Sequence, residues 1–192
     1  MLEHIELGRV FVISAPSGTG KTTLVKKLLK NHPNFKLSVS WTTRPPRPDE
    51  MDGRDYHFVS QSEFLEASKN NNFLEFEIVH GYYYGTPRQD VKKNIQDGYT
   101  VILDIDTKGA LTIRKSCPQA ILIFIQPPSI EDLENRLRQR ATESEQDIKR
   151  RLQNAHQEMS IKSKFDYVII NNKLDHAYDE LERCITSYTK RA

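Results

Sequence analysis

The residues with the clearest capacity for chemistry lie in one glycine-rich segment near the start of the chain, Ala15-Pro16-Ser17-Gly18-Thr19-Gly20-Lys21-Thr22. Its glycines let the backbone curl, so that successive N–H groups point at a single bound anion. In such a loop a lysine at the position of Lys21 reaches the β- and γ-phosphates of a nucleoside triphosphate, and a hydroxyl at Thr22 ligates Mg²⁺. We therefore predict that residues 15–22, with Thr23 beside them, hold a triphosphate.

The flanking sequence supplies the elements that such a loop needs. Residues 9–14 form an apolar run that predicts a buried strand, and residues 22–29 carry apolar side chains at helical spacing. One position departs from the usual pattern, because Ala15 stands where the first glycine is expected. Ala15 must then adopt a backbone conformation open to an L-residue. A glycine turn with an exposed lysine is the alternative, and the order strand, loop, helix argues against it.

The rest of the chain predicts a doubly wound α/β sheet. Three further apolar runs lack polar alternation, as buried parallel strands do, and they lie at residues 99–103, 120–125 and 167–170. Helical patterns alternate with them at residues 107–115, 129–140, 146–163 and 174–190. Two capping-box patterns, Ser60 with Glu63 and Ser129 with Asp132, predict helix starts.

Size and composition limit the classes of function. A chain of 192 residues buries one sizeable core, and a net charge of +2 is too small to indicate nucleic acid or membrane binding. Cys117 and Cys184 lie far apart, which suggests neither a disulfide framework nor a zinc site. The first residues lack the pattern of a signal peptide, so we expect a cytoplasmic protein.

The middle of the chain has a different character, and we expect it to form an inserted, partly antiparallel lobe. Its short mixed segments lie at residues 36–40, 56–59, 73–79 and 82–86, with a proline-rich connection at residues 44–48. Arg44 and Arg47 stand three residues apart in that connection. Paired guanidinium groups suit a monophosphate, because each donates two parallel hydrogen bonds. An exposed basic turn is the alternative for the two arginines taken alone.

Four segments of this lobe together resemble the nucleotide-monophosphate lobe of guanylate kinases: residues 38–47, 52–58, 73–76 and 83–87. The resemblance runs from the phosphate loop to the apolar strand that ends at Asn171. It implies that the GMP phosphate is held by Arg44, Arg47, Tyr56 and Tyr84. It also implies that guanine is surrounded by Ser40, Glu75, Thr86, Asp104 and Asp106.

The chemistry of guanine supports Glu75 as the residue that reads the base. Guanine presents N1–H and the N2 amino group as adjacent donors, and one carboxylate accepts from both. Adenine has an acceptor at N1 and would leave the carboxylate badly paired. A solvated strand carboxylate is the default for an isolated glutamate, and the surrounding motif argues against it here.

Asp104 and Asp106 follow an apolar strand, at the sheet edge where open α/β folds bind ligands. Either one is a candidate to order water around Mg²⁺. Guanylate kinases usually show Asp-x-Gln-Gly at this point, whereas Lys108 replaces the glutamine here.

A third constellation of arginines follows at residues 136–151. Arg136 and Arg140 are four residues apart and share a helix face, and a second helix carries Arg151. In guanylate kinases the matching lid brings arginines to the ATP phosphates, which implicates these three residues. The usual Arg-Gly-Thr is Arg140-Ala141-Thr142 in this chain. Arg138 and Arg150 are interpreted as solvated residues of the helix surface.

The resemblance thus implies a P-loop NTPase-type core at residues 1–35 and 98–192, with an inserted mixed α+β GMP-binding lobe at 36–97 and a helical arginine lid near 137–150. The implied activity is ATP-dependent phosphorylation of GMP, and of dGMP, with Mg²⁺ and with Lys21, Arg47, Arg136, Arg140 and Arg151 as catalytic residues. The expected partners are small molecules, not nucleic acid or membrane, and the oligomeric state stays open. Two alternatives are a guanylate-kinase-like protein-binding module and a kinase for another small phosphorylated metabolite.

Overall fold

The structure, a computed structural model, describes residues 9–79, 81–139 and 144–189. Its strands, numbered in chain order, are β1 (Val10–Ser14), β2 (Phe35–Leu37), β3 (Trp41–Thr42), β4 (His57–Phe58), β5 (Phe73–Val79), β6 (Tyr82–Pro87), β7 (Thr100–Asp104), β8 (Ile121–Gln126) and β9 (Tyr167–Ile170). Its α-helices are α1 (Lys21–Asn31), α2 (Gln61–Lys69), α3 (Arg88–Gln96), α4 (Thr107–Ser116), α5 (Ile130–Gln139), α6 (Glu145–Ser160) and α7 (Leu174–Thr189).

Five parallel strands form the central sheet in the order β2-β7-β1-β8-β9. Alternate residues of β1 point to opposite faces, and both faces are covered. Phe11 and Ile13 belong to a buried cluster with residues of α1 and α7. Val10 and Val12 belong to a second cluster with residues of α3 and α4. Burial on both faces explains the uninterrupted apolar runs of β1, β7 and β8, and the predicted α/β fold with a doubly wound parallel sheet is confirmed. The predicted burial of residues 167–170 is wrong: β9 is an edge strand, and only its Ile169 is buried.

A second, smaller sheet comes from the chain between β2 and β7, in the order β4-β3-β6-β5. The pairs β3–β6 and β6–β5 are antiparallel, as expected for the insertion, whereas β3 and β4 run parallel. Phe64 of α2 and Phe73 of β5 stack with ring centroids 4.5 Å apart and form the centre of a small core. A Cβ at Gly85 would lie 2.9 Å from each ring, so β6 passes these rings only without a side chain there.

The structure corrects the assignment of the first strand after α1. The sequence analysis places residues from Lys36 onward in the insertion, but Phe35–Leu37 pairs in parallel with β7 at the edge of the central sheet. Only Phe35 of this short strand is buried, so its apolar pattern is weak. Both predicted capping residues are confirmed: Ser60 forms a capping box with Glu63 before α2, and the backbone N–H of Asp132 donates to Ser129 Oγ at 3.0 Å.

Of the helices in the described part of the chain, none combines the length and apolar character that a membrane crossing requires.

Candidate active site

The glycine-rich loop joins the end of β1 to the start of α1. Gly18 and Gly20 have φ values of +95° and +92°, in the left-handed region that favours glycine. Gly20 is also the N-cap of α1 and offers no side chain to the first backbone N–H groups of that helix. Those N–H groups and the helix dipole make this end of α1 a site for an anion. Ala15 is buried and has no positive φ, so its backbone is one that an L-residue adopts.

Buried hydrogen bonds brace the loop from two sides. Thr19 is 1% exposed, and its hydroxyl donates to the Pro16 carbonyl at 2.8 Å. The Asn171 side-chain amide donates to the Thr19 carbonyl at 2.6 Å and fills the space where a Cβ of Gly20 would lie. No local sequence pattern indicates this role for Asn171. Asn171 directly follows β9, at the carboxyl edge of the sheet where such folds bind ligands, and this position alone could have indicated a role in the site.

Lys21 lies at the same carboxyl edge as the end of β7. It forms an ion pair with Asp104, and its Nζ lies 3.3 Å from the Ile105 carbonyl oxygen. The Ser14 hydroxyl donates to that carbonyl at 2.8 Å, which ties the ends of β1 and β7 together. The predicted phosphate loop and Asp104 therefore lie next to each other.

The same edge suits a Mg²⁺ ion that arrives with phosphate ligands. Among residues 9–79, 81–139 and 144–189, no group of three or more His, Cys, Asp or Glu residues could hold a metal by itself. Mg²⁺ usually takes one or two protein ligands and completes its shell with phosphates and water. Thr22 is exposed in the first turn of α1, next to the Lys21–Asp104 pair, so the hydroxyl of Thr22 and the carboxylate of Asp104 suit such an ion.

The residues expected to hold a monophosphate form a second group around Arg44. The Arg44 guanidinium donates to the Tyr84 hydroxyl at 3.1 Å and to Glu50 at 2.8 Å, and it lies 5.5 Å from the centre of the Tyr56 ring. Burial raises the pKa of Tyr56 to about 12, with a smaller contribution from Asp104. The hydroxyl of Tyr56 thus stays a hydrogen-bond donor at neutral pH. The structure thus brings the Arg44 guanidinium and the side chains of Tyr56 and Tyr84 together.

Glu50 anchors this group, and the sequence analysis did not single it out. Its hydrogen bond with Arg44 holds the pKa of the Glu50 carboxyl below its ordinary value. The same contact raises the pKa of Arg44. The second oxygen of Glu50 accepts from the backbone N–H of Arg47 at 2.8 Å, while the Arg47 side chain is exposed. Glu50 therefore sets the shape of the loop that presents both arginines.

Glu75 is a buried carboxylate opposite its strand neighbour Thr86. It is 6% exposed, and its Oε1 accepts from the fully buried Thr86 hydroxyl at 2.5 Å. Burial raises the pKa of Glu75 to about 7, with a smaller contribution from Asp106. The backbone of Thr86 also donates to this carboxyl. A buried carboxyl whose described donors both come from one residue has acceptor capacity left for a ligand. Ser40, which is half-buried, lies on the connection before β3.

Asp106 caps α4 rather than pointing freely into the site. Its Oδ1 accepts from the backbone N–H of Gly109 at 2.7 Å. A further carboxylate that the sequence analysis missed, Glu158 of α6, has a pKa raised to about 7 by burial and by the charge of Asp106. Lys21 acts on Glu158 in the opposite direction. The carboxyls of Asp106, Glu158 and Glu75 thus act on one another electrostatically, with Asp106 common to both pairs.

Two of the predicted lid arginines lie beside the glycine-rich loop. Arg136 of α5 donates to the Asn171 carbonyl at 2.8 Å, and Arg151 of α6 donates to the Ser17 hydroxyl at 2.8 Å. Arg140, with Ala141 and Thr142, lies outside the described residues. Arg138 pairs with Glu134 and Glu145 on the surface, and Arg150 pairs with Asp147, in agreement with their interpretation as solvated residues.

A cavity of about 470 Å³ opens beside the loop. It is lined by Gly18, Thr19, Gly20, Arg136, Gln139, Asn171, Asn172 and Leu174. The phosphate loop and the base of the lid therefore share one open space.

A parallel α/β sheet with a glycine-rich loop after its first strand, and with an inserted smaller sheet that carries clustered polar side chains, defines a P-loop nucleotide-binding protein. A sequence model described as guanylate kinase matches residues 7–188. The chain belongs to the guanylate kinase family, and it is an enzyme of that family.

Individual relatives agree. The chain is 51% identical over 174 residues to a guanylate kinase of Aromatoleum aromaticum, covering 91% of this chain and 85% of the relative. It is 48% identical over 184 residues to a guanylate kinase of Methylobacillus flagellatus, covering 96% and 91%. Among solved structures, a guanylate kinase from Anaplasma phagocytophilum matches with a TM-score of 0.78 at 34% identity, covering 94% of this chain and 86% of that one.

Proposed function

We propose that this chain transfers the γ-phosphoryl group of ATP to GMP, giving ADP and GDP, and that dGMP is also an acceptor. The observation that carries the choice of guanine is the Glu75–Thr86 pair, a buried carboxylate whose Oε1 accepts from the Thr86 hydroxyl. Its free acceptor capacity matches the two adjacent donors of guanine. The ATP phosphates would lie in the loop at Gly18–Lys21, and the rest of the donor would extend into the adjoining cavity.

The acceptor phosphate would lie against Arg44, Arg47, Tyr56 and Tyr84. Arg44 is already oriented by Glu50 and Tyr84, so little side-chain freedom is lost when a phosphate binds it. Tyr56 adds a hydroxyl donor that remains protonated at neutral pH. This pre-arranged group holds the attacking oxygen in place for in-line transfer.

Phosphoryl transfer requires little proton chemistry here, because a phosphate oxygen of GMP is already anionic near neutral pH. Positive charge around the transferred oxygens then lowers the barrier. We assign that role to Lys21, Arg47, Arg136, Arg140 and Arg151. A Mg²⁺ ion held with the help of Thr22 would neutralise charge on the β- and γ-phosphates. We further propose that the enzyme is cytoplasmic and that its partners are small molecules.

The protein-binding alternative is not favoured. A module that only binds protein has no use for a lysine at the start of α1 or for an arginine that contacts the phosphate loop. Lys21 and Arg151 occupy those places. A kinase for another metabolite would not require a buried carboxylate aimed at a pair of adjacent donors.

Product analysis tests the reaction directly. The purified chain is incubated with ATP, GMP and Mg²⁺, and nucleotides are separated by chromatography at several times. We expect ADP and GDP to form in equal amounts, with little inorganic phosphate. Formation of ADP with inorganic phosphate and no GDP would replace the proposed transferase by an ATP hydrolase.

Arg151→Ala should lower kcat by at least about tenfold, because a charge near the transferring group is lost. The KM for GMP should change little, since GMP is held by other residues. Arg150→Ala is the matched control, because Arg150 is the exposed neighbour of Arg151 and pairs with Asp147 on the surface of the same helix. If kcat of Arg151→Ala equals that of the control and of wild type, Arg151 does not take part in the mechanism.

The pH profile should report the ionisation of Glu75. Its pKa of about 7 lies above the ordinary value of 4.5, so the carboxylate form that accepts from guanine is present above pH 7 and is lost as the pH falls. We expect kcat/KM for GMP to fall below about pH 7, since this ratio reports free-enzyme ionisations.

The phosphate of GMP itself titrates at about pH 6 and must be separated from Glu75. The Glu75→Gln variant retains every other titrating group. The ratio of wild-type to variant kcat/KM should therefore fall with decreasing pH near 7. A ratio that is constant from pH 5.5 to 8.5 would contradict the assignment.

A further inference from the structure

Gly109 is a buried residue of the first turn of α4, and its backbone does not require glycine. Its φ is not positive, unlike that of Gly18 and Gly20. Glycine is also less favourable than alanine within a helix. The cap contact from its N–H to Asp106 would survive a side chain, because it uses the backbone. The reason for glycine must therefore lie in what surrounds its Cα atom.

The neighbour that excludes a side chain is the carboxylate of Glu75. A Cβ at position 109 would lie 2.7 Å from Glu75 Oε2 and 3.2 Å from its Cδ. Non-bonded carbon atoms attract best at about 3.5–4.0 Å, so these separations are repulsive. The next neighbour is Asp106 Oδ1 at 3.3 Å. The bare Cα of Gly109 therefore forms one wall of the space that Glu75 occupies.

The other end of the carboxylate is also held. Oε1 accepts from the Thr86 hydroxyl at 2.5 Å, and Thr86 is fully buried. A Cβ at position 109 would press on the flexible end of Glu75 and not on the backbone of β5. The fold would then stay intact while the carboxylate rotates away from its position beside Thr86.

We infer that Gly109 is a positioning residue for guanine selection, because the missing side chain sets where the Glu75 carboxylate lies. The inference rests on the proposed role of Glu75 as the residue that accepts from the base. It applies to the orientation of that carboxylate, not to the stability of α4.

Gly109→Ala tests this. We expect a fall in kcat/KM for GMP of at least about tenfold, mostly through a higher KM, since an acceptor misplaced by an ångström leaves donors poorly paired. The low kcat/KM for AMP and the KM for ATP should not change in parallel. Lys115→Ala, an exposed change in the same helix, should match wild type. Wild-type GMP kinetics in Gly109→Ala would overturn the inference.

A double-mutant cycle separates positioning from general damage. Glu75→Asp shortens the side chain and withdraws the carboxylate from the added methyl group. Glu75→Asp lowers kcat/KM for GMP by some factor in the wild-type background. In the Gly109→Ala background that factor should be at least about threefold smaller, because the effects of contacting residues are coupled. Additive effects would count against the inference.

Two remaining outcomes are also decisive. If Gly109→Ala does not fold, recovery of folding by Glu75→Asp supports the inference, and failure to recover overturns it. If the wild-type chain itself does not phosphorylate GMP, the proposed function fails. If the wild-type enzyme selects GMP and Gly109→Ala has the same kinetics, only the inference about Gly109 is wrong.

Discussion

Lys21→Ala is expected to lower kcat by at least about a hundredfold, because it removes a charge that follows the transferring phosphoryl group. The fold should survive, since Lys21 is partly exposed and its loss breaks one ion pair at the surface of the site. The KM for GMP should stay close to that of wild type, because Glu75 and the residues proposed for the GMP phosphate lie on the inserted lobe.

Steady-state kinetics with ATP and GMP, together with a thermal unfolding curve, check this expectation. Lys26→Ala is the matched control: Lys26 is an exposed lysine in the same helix, away from the loop. A Lys21→Ala enzyme with near-normal kcat would show that the loop lysine does not act on the transferred group.

Glu75→Gln should weaken productive binding of GMP by roughly 2–4 kcal/mol, because a charge-assisted acceptor becomes a donor that faces a donor. That range corresponds to a fall in kcat/KM of about 30-fold to 1,000-fold. The shape of the side chain is nearly unchanged, and Thr86 retains a possible partner in the glutamine oxygen. Activity with AMP should not fall in parallel, so the preference for GMP should shrink.

The control is Glu77→Gln, on the same strand and the same side of β5. Burial raises the pKa of Glu77 as well, but its side chain is only half-buried and has no assigned contact with substrate. We expect wild-type selectivity in that variant. If Glu75→Gln keeps the full preference for GMP, guanine is read by other residues, with Ser40, Thr86 and Asp104 the next candidates.

The central sheet could be predicted where a strand is buried on both faces. Strands β1, β7 and β8 are long enough for their apolar runs to stand out from the helical periodicity around them. The apolar run of β9 also predicts a strand, but β9 lies at the sheet edge and only its Ile169 is buried. Strand β2 has three residues, of which only Phe35 is buried, so pairing with β7 rather than sequence pattern decides its place. Helix α3 escaped prediction because Val91 is its one fully buried side chain.

Within the candidate site, residues in a local motif could be predicted, and contacts between distant segments could not. The loop at residues 15–22 has a characteristic order of glycines and lysine. The bond from Asn171 to Thr19 joins residues 152 positions apart, and the approach of Gly109 to Glu75 depends on how α4 packs against β5. Glu50 lies between residues 38–47 and 52–58, two of the segments that resemble guanylate kinases. Its hydrogen bond with Arg44 could not be predicted, because it depends on the geometry of the turn between them.

The measurement that tests the account most directly is kcat/KM for a panel of acceptors, GMP, dGMP, AMP, CMP and UMP, with ATP as donor and ADP release as the readout. The account predicts that GMP is the best acceptor, that dGMP is used, and that AMP, CMP and UMP are at least about a hundredfold poorer, since each leaves a buried polar group at Glu75 unpaired. Comparable values for GMP and AMP would contradict the assignment of guanine selection to this site.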